Sequence, residues 1–163
     1  MNETKNILVT LEHLTVGYVG KNQNSVILEN LNLSIAEGEL VCLLGPNGCG
    51  KSTLIRTIAG MQPSLSGEIC IKENAISNLE IQNLAKIVSV VLTDTIDVPN
   101  MTVFDIVALG RYPHTGWFGT LHSKDLELIN DCISKVGLNH LKKREFLQLS
   151  DGEKQRTLIA KAL

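Results

Sequence analysis

The stretch Gly45-Pro46-Asn47-Gly48-Cys49-Gly50-Lys51-Ser52-Thr53 constrains this chain more than any other part of it. It satisfies the spacing G-x-x-x-x-G-K-[ST], with a continuous apolar run, Leu40–Leu44, before it and an apolar-periodic segment after it. Gly45, Gly48 and Gly50 let the backbone turn where a Cβ would clash. Successive N–H groups and a helix start then form a concave cradle for an anion. Lys51 adds a flexible cation able to reach the β- and γ-phosphates of a nucleotide. The Ser52 hydroxyl suits Mg²⁺, and Thr53 can hydrogen-bond a phosphate.

The surroundings predict an α/β fold. Leu40–Leu44 has no polar alternation, which fits a strand buried on both faces of a parallel sheet. Lys51–Ala59 reads as a helix closed by Gly60. Upstream, residues 7–16 read as a strand, Gly17 to Asn24 as a turn, and Val26–Leu28 and Leu31–Ile35 as two further short strands, together an antiparallel β layer. Downstream come a strand at Glu68–Lys72, a short helix at Ile81–Leu84 and a strand at Ile87–Leu92. The second half turns helical. Thr102 stands three residues before Asp105, a capping box, and Val103, Ile106 and Val107 line one face. Gly110–Leu121 reads as loop. Leu126, Ile129, Ile133 and Val136 recur at helical spacing across Ser123–Val136. Ser150 and Glu153 form a second capping box that opens a helix running toward Leu163.

Composition narrows the function classes. The chain has 163 residues, with 15 Lys+Arg against 17 Asp+Glu, so it carries no basic nucleic-acid footprint. Its apolar runs are far too short to span a bilayer. Met1–Lys5 is polar and gives no secretion signal. Cys42, Cys49, Cys70 and Cys132 sit at no metal-ligand spacing and read as reduced thiols. His13, His122 and His140 are isolated and expected to face solvent, and Lys142-Lys143-Arg144 is expected to be a solvated face.

With the loop in place, a second motif about a hundred residues on, Leu149-Ser150-Asp151-Gly152-Glu153-Lys154-Gln155-Arg156, gives the chain its resemblance. The two resemble the Walker A and signature motifs of the ATP-binding cassette (ABC) transport ATPases, from about residue 7 to the end. The stretch Ala108–Gly116 is similar to the subgroup that energises import of iron–siderophore complexes, haem or cobalamin. The resemblance implies a P-loop ATPase fold with an N-terminal antiparallel β layer, a helical subdomain and an incomplete central sheet. It divides the chain into residues 1–92 (β layer and P-loop core), 93–149 (linker and helical subdomain) and 150–163 (signature helix). It implies ATP and Mg²⁺ as cofactors and membrane permease subunits as partners. A second ATPase subunit would complete a homodimer, with no nucleic acid involved, on the cytoplasmic face of the cell membrane. Ser150, Gly152 and Glu153 would meet the γ-phosphate of the nucleotide held by the second subunit. Tyr18 either packs in the β-turn or stacks on adenine. Tyr112, His114, Trp117 and Phe118 form either a local apolar cluster or part of the permease contact.

Three departures qualify that picture. Thr93, followed by Asp94, stands where the family carries the Gln that senses Mg²⁺ and the attacking water. Asp151 puts a carboxylate beside the signature's phosphate site. Members of the family continue with an apolar strand ending in Asp, then a catalytic Glu and later a His, none of which is present among these 163 residues. The resemblance thus implies a shortened cassette, deficient in hydrolysis by itself and exposing apolar surface. The alternative reading is a nucleotide-binding regulatory or structural module that never hydrolyses ATP. A DNA-repair or translation ATPase fits less well, given the near-neutral charge.

Overall fold

The computed structural model describes residues 6–92, 98–116 and 119–163. The chain divides into two units, 1–84 and 85–163.

The first unit is built on β1 (Ile7–Tyr18), β2 (Ser25–Ala36), β3 (Ser66–Ile71) and β4 (Asn74–Ala75), all antiparallel in the order β2-β1-β3-β4. β1 is the central strand, and its Leu11, Leu14 and Val16 pack with Ile69 and with Leu54 of helix α1 (Lys51–Ile58). The two short strands expected at 26–28 and 31–35 are one continuous strand. Asn30 takes a left-handed conformation (φ 54) where β2 carries an extra residue across from Thr15, and this offsets the extra residue of β1 at His13 (φ 46), so pairing resumes beyond the kink. The His13 N–H donates to Asn32 Oδ1 at 2.9 Å, which holds the bulge. Helix α1 ends as the sequence predicts, with Gly60 at φ 69 donating its N–H to the Thr57 carbonyl. The short helix α2 (Ile81–Leu84) closes the unit.

The buried strand expected at Leu40–Leu44 does not form. Leu40 and Leu44 are 91% and 92% exposed, and the segment pairs with no strand among the described residues. An apolar run encodes a demand for burial, whereas a parallel ladder must be supplied by strands distant in sequence. The strand expected at Ile87–Leu92 is likewise absent. The apolar surface expected to be left exposed is therefore present at Leu40, Val41, Leu43, Leu44 and Ile87.

The second unit packs α3 (Val103–Ala108), α4 (Ser123–Lys135) and α5 (Asp151–Ala162) around one core. Val103, Ile106, Ile129, Ile133, Leu138 and Phe146 are almost wholly buried there. Thr102 and Asp105 make the capping box predicted for α3: the Thr102 N–H donates to Asp105 Oδ2 at 2.9 Å and the Asp105 N–H to Thr102 Oγ1 at 3.2 Å. The start of α3 is tied to the segment leading into α5, since the Val103 N–H donates to the Arg144 carbonyl and the Phe146 N–H to the Met101 carbonyl. Gly110–Leu121 is not all loop, because Leu109–His114 winds into a 3₁₀ helix. Gly110 permits this, since a Cβ there would lie 2.2 Å from the Lys161 carbonyl oxygen. In α4, Ile129 and Ile133 are buried as predicted, while Leu126 is exposed near the helix start. Lys142 is no simple solvated residue: its Nζ donates to Asn130 Oδ1 and lies over the Phe104 ring at 4.8 Å.

Candidate functional site: a phosphate cradle and a capped helix start

Three of the loop's features follow from backbone geometry. Gly48 and Gly50 have φ of 81 and 98, in the left-handed region, so the chain reverses between Pro46 and the helix. Gly50 is the residue that opens α1, and it offers no side chain to cap it. The first amides of α1 therefore have no partner within the helix, and their positive dipole end faces the loop. Lys51 Nζ donates to the carbonyls of Gly45 (2.8 Å) and Pro46 (2.7 Å), which holds the cation over the loop, and approaches Cys49 Sγ at 3.8 Å.

Gly48, Gly50 and Lys51 line a cavity of ≈ 300 Å³ with Asn47, Ser52, Thr53, Tyr18 and Ile27. Tyr18, at the end of β1, is 52% exposed, and its Oη shares a hydrogen bond with Thr53 Oγ1 at 3.2 Å. The aromatic ring thus stands beside the loop rather than packed away in a turn. Thr53 is buried, and its carbonyl accepts the Thr57 hydroxyl at 2.8 Å, which fixes the first turn of α1. Cys49 is half-buried and Ser52 exposed. Ile27 is a lining residue that sequence reasoning missed. Its Cγ2 would lie 2.5 Å from a Cβ at Gly50, so it fits only because Gly50 has none. No local pattern signals this, because β2 meets the loop only through folding.

The other predicted cluster lies in the second unit. The Ser150 N–H and hydroxyl both donate to Glu153 Oε2 at 2.8 Å, and the Glu153 N–H returns to Ser150 Oγ at 3.4 Å. The Ser150 N–H, then its hydroxyl, hold the Glu153 carboxyl below the usual carboxylate range, with Arg144 and Arg156 adding to the effect. Gly152 and Asp151 are exposed in the first turn. Tyr112 and His114 lie exposed on the 3₁₀ helix, with Tyr112 71% exposed. Thr93, Asp94, Trp117 and Phe118 fall outside the described residues. His13, His122 and His140 face solvent, and the four cysteines are free thiols. No helix is long and apolar enough to cross a membrane among the described residues, nor do they hold a metal-ligating cluster of His, Cys, Asp or Glu.

A β layer carrying a glycine loop, a lysine over that loop and an uncapped helix behind it define a P-loop nucleotide-binding protein of the α/β class. A family profile described as ABC transporter matches residues 28–163, and the chain belongs to that family. It is 41% identical to the ABC transporter ATP-binding protein MJ0873 of Methanocaldococcus jannaschii, over 96% of this chain and 52% of that one. It is 35% identical to the iron(3+)-hydroxamate import ATP-binding protein FhuC of Bacillus subtilis, over 95% of this chain and 56% of that one. Among solved structures, the dimeric ATP-binding cassette MJ0796 bound to ADP and Pi superposes with a TM-score of 0.79 at 28% identity, covering 96% of this chain and 69% of that one. The chain spans about half the length of the curated relatives it matches.

Proposed function

We propose that this chain is the nucleotide-binding part of an ATPase subunit that drives import of a metal chelate: an iron–siderophore complex, haem or cobalamin. The observation that carries the nucleotide reading is the ≈ 300 Å³ cavity in which Tyr18, the glycine loop, Lys51, Ser52 and Thr53 converge. The Tyr18 ring offers a stacking face for adenine, a contact worth about 1–3 kcal/mol in comparable base–aromatic systems. Lys51, already turned over the loop, exchanges carbonyl partners for phosphate oxygens, and the α1 amides take the remaining charge.

The donor set fits Mg²⁺. Ser52, which lines this cavity, carries a hydroxyl oxygen, a hard ligand that would hold the ion. When bound, the ion would supply neutralisation of phosphate charge. Ser150 and Gly152 are assigned to the γ-phosphate held by a second copy, with Glu153 fixing the Ser150 hydroxyl beside them, so that nucleotide joins two subunits. Such a pair would work on permease subunits from the cytoplasmic face of the membrane. The import reading is supported by the likeness to the iron(3+)-hydroxamate import protein and by the Ala108–Gly116 stretch.

The Lys51→Ala variant tests the cavity. Among the described residues, the Lys51 Nζ bonds to loop carbonyls and approaches the Cys49 sulfur, so the fold should persist. Loss of a charge-assisted contact of about 1.5–3 kcal/mol should weaken MgATP binding roughly 10- to 150-fold by calorimetry. Unchanged affinity would remove the phosphate-loop assignment.

A further inference from the structure

The start of α5 is a helix end whose cap is occupied by the chain's own carboxylate. Ser150 has a single hydroxyl proton, and that proton is directed at Glu153 Oε2 at 2.8 Å, as is its backbone N–H. Its oxygen accepts the Glu153 N–H. For Ser150 to donate to a phosphate oxygen, the hydroxyl must leave a bond to an ionised acceptor, which is roughly twice as strong as a neutral one. The phosphate would also approach two negative charges in one helical turn, Asp151 and Glu153. Like charges at short range oppose each other strongly where water is squeezed out. Arg144 and Arg156 act on Glu153 from the positive side and offset part of this. Arg156 also reaches the turn itself, its Nη1 lying 3.8 Å from the position of a Cβ on Gly152.

We propose that Glu153 is a brake on the Ser150 site: its carboxylate holds the hydroxyl inward and repels the incoming phosphate, which raises the nucleotide occupancy needed for two copies to associate. This rests on the assignment of Ser150 to a second copy's nucleotide. Glu153 is a positioning residue: it acts mainly through the Ser150 hydroxyl, with its own charge adding a smaller repulsion. A glutamine at 153 would serve the capping box as well as glutamate, because Gln and Glu both satisfy the N-cap N–H. It would hold the Ser150 hydroxyl by a weaker, uncharged bond and remove one negative charge. A residue with only a structural role would not distinguish the two.

The test measures self-association of the 163-residue chain by sedimentation velocity with Mg²⁺ and a non-hydrolysable ATP analogue, for wild type, Glu153→Gln, Ser150→Ala and the double variant. Thermal melts of each variant confirm that the cap-retaining Glu153→Gln protein is folded. The brake predicts about tenfold tighter nucleotide-dependent association for Glu153→Gln, with most of that gain lost when Ser150→Ala is added. Association constants of wild type and Glu153→Gln within twofold of each other overturn it, as does a gain undiminished by Ser150→Ala. Absence of nucleotide-driven association in both wild type and Glu153→Gln also overturns it. Calorimetry of Lys51→Ala on the same preparations keeps the two ideas apart: undiminished nucleotide uptake there sinks the functional reading itself, whatever Glu153 does.

Discussion

Helices α1 and α5 begin in opposite ways. α1 is opened by Gly50, in the left-handed conformation, with no side-chain cap and no acid in its first turn. α5 is opened by Ser150 in a reciprocal capping box, with Asp151 and Glu153 in its first turn. Both ends carry the same backbone dipole and the same orphan N–H groups. One start leaves them for an external anion, and the other spends two of them in its own cap, the Ser150 N–H on the Glu153 carboxylate and the Glu153 N–H on Ser150 Oγ. A helix start that keeps its amides free gives up local stability, and such a start makes sense where a ligand supplies the missing partners.

The largest expected effect tests whether the α1 start depends on having no side chain. Gly50→Ala places a Cβ 2.5 Å from Ile27 Cγ2 and 3.3 Å from Leu28 side-chain atoms, at a φ of 98. The left-handed conformation costs an alanine about 1–2 kcal/mol, and crowding against β2 adds about 1–3 kcal/mol. Urea unfolding should show that loss together with weakened nucleotide binding. A variant as stable as wild type would mean that the loop relaxes freely, and the contrast with α5 would lose its structural basis.

Both helix starts were legible in the sequence for the same reason: each rests on residues within eight consecutive positions. The G-x-x-x-x-G-K-S spacing and the Ser150/Glu153 and Thr102/Asp105 pairs are local chemistry, and the backbone follows them. What the sequence could not show depends on distant partners. Leu40–Leu44 and Ile87–Leu92 read as strands because their apolar runs demand burial, yet a run does not say which neighbours will supply a ladder. Residues 29–30 fell between two expected strands, whereas an extra residue there is offset by one in β1 at His13 and the strand continues. Leu109–His114 looked like loop because of Gly110 and Pro113, but Gly110 lets the segment pack against the end of α5. In the candidate site the loop residues were all readable. Ile27 was not, and the engagement of Ser150 by Glu153 was readable only as a cap.

A smaller effect sharpens the comparison from the α5 side. Ser150→Ala removes the cap while leaving Leu149, Thr157 and Leu158 to pack as before. Loss of a serine cap costs about 0.5–2 kcal/mol. The urea midpoint of the second unit should fall by a corresponding amount, and α1 should keep its amide protection. If Ser150→Ala changes nothing, the capping box is not what stabilises the α5 start, and the two helices differ only in composition.

The smallest effect is a dependence on pH that should separate the two units. The Ser150 N–H holds the Glu153 carboxyl below its ordinary 4.5, and the His122 N–H, then Arg111, hold that of Asp125 below its ordinary 3.8. Asp125 Oδ2 accepts the His122 N–H at 3.0 Å at the start of α4, and its Oδ1 accepts Arg111 Nε at 2.9 Å. A carboxyl lowered in the folded state stabilises it fully above its unfolded value. That stabilisation is lost as pH falls through the folded value, because protonation then favours the unfolded chain. α4 and α5 should therefore lose protection of their first-turn amides between about pH 5 and pH 3, once exchange rates are corrected for the chemical dependence on pH. α1 has no first-turn acid and so no such term, and its first hydrogen-bonded amide, the Leu54 N–H on the Gly50 carbonyl, should keep its protection over the same range. Asp125→Asn should flatten the profile of α4, and Glu153→Gln that of α5. Equal acid loss at all three helix starts would show that protonation acts on the chain as a whole, and the distinction between a self-capped start and an open one would carry no electrostatic meaning.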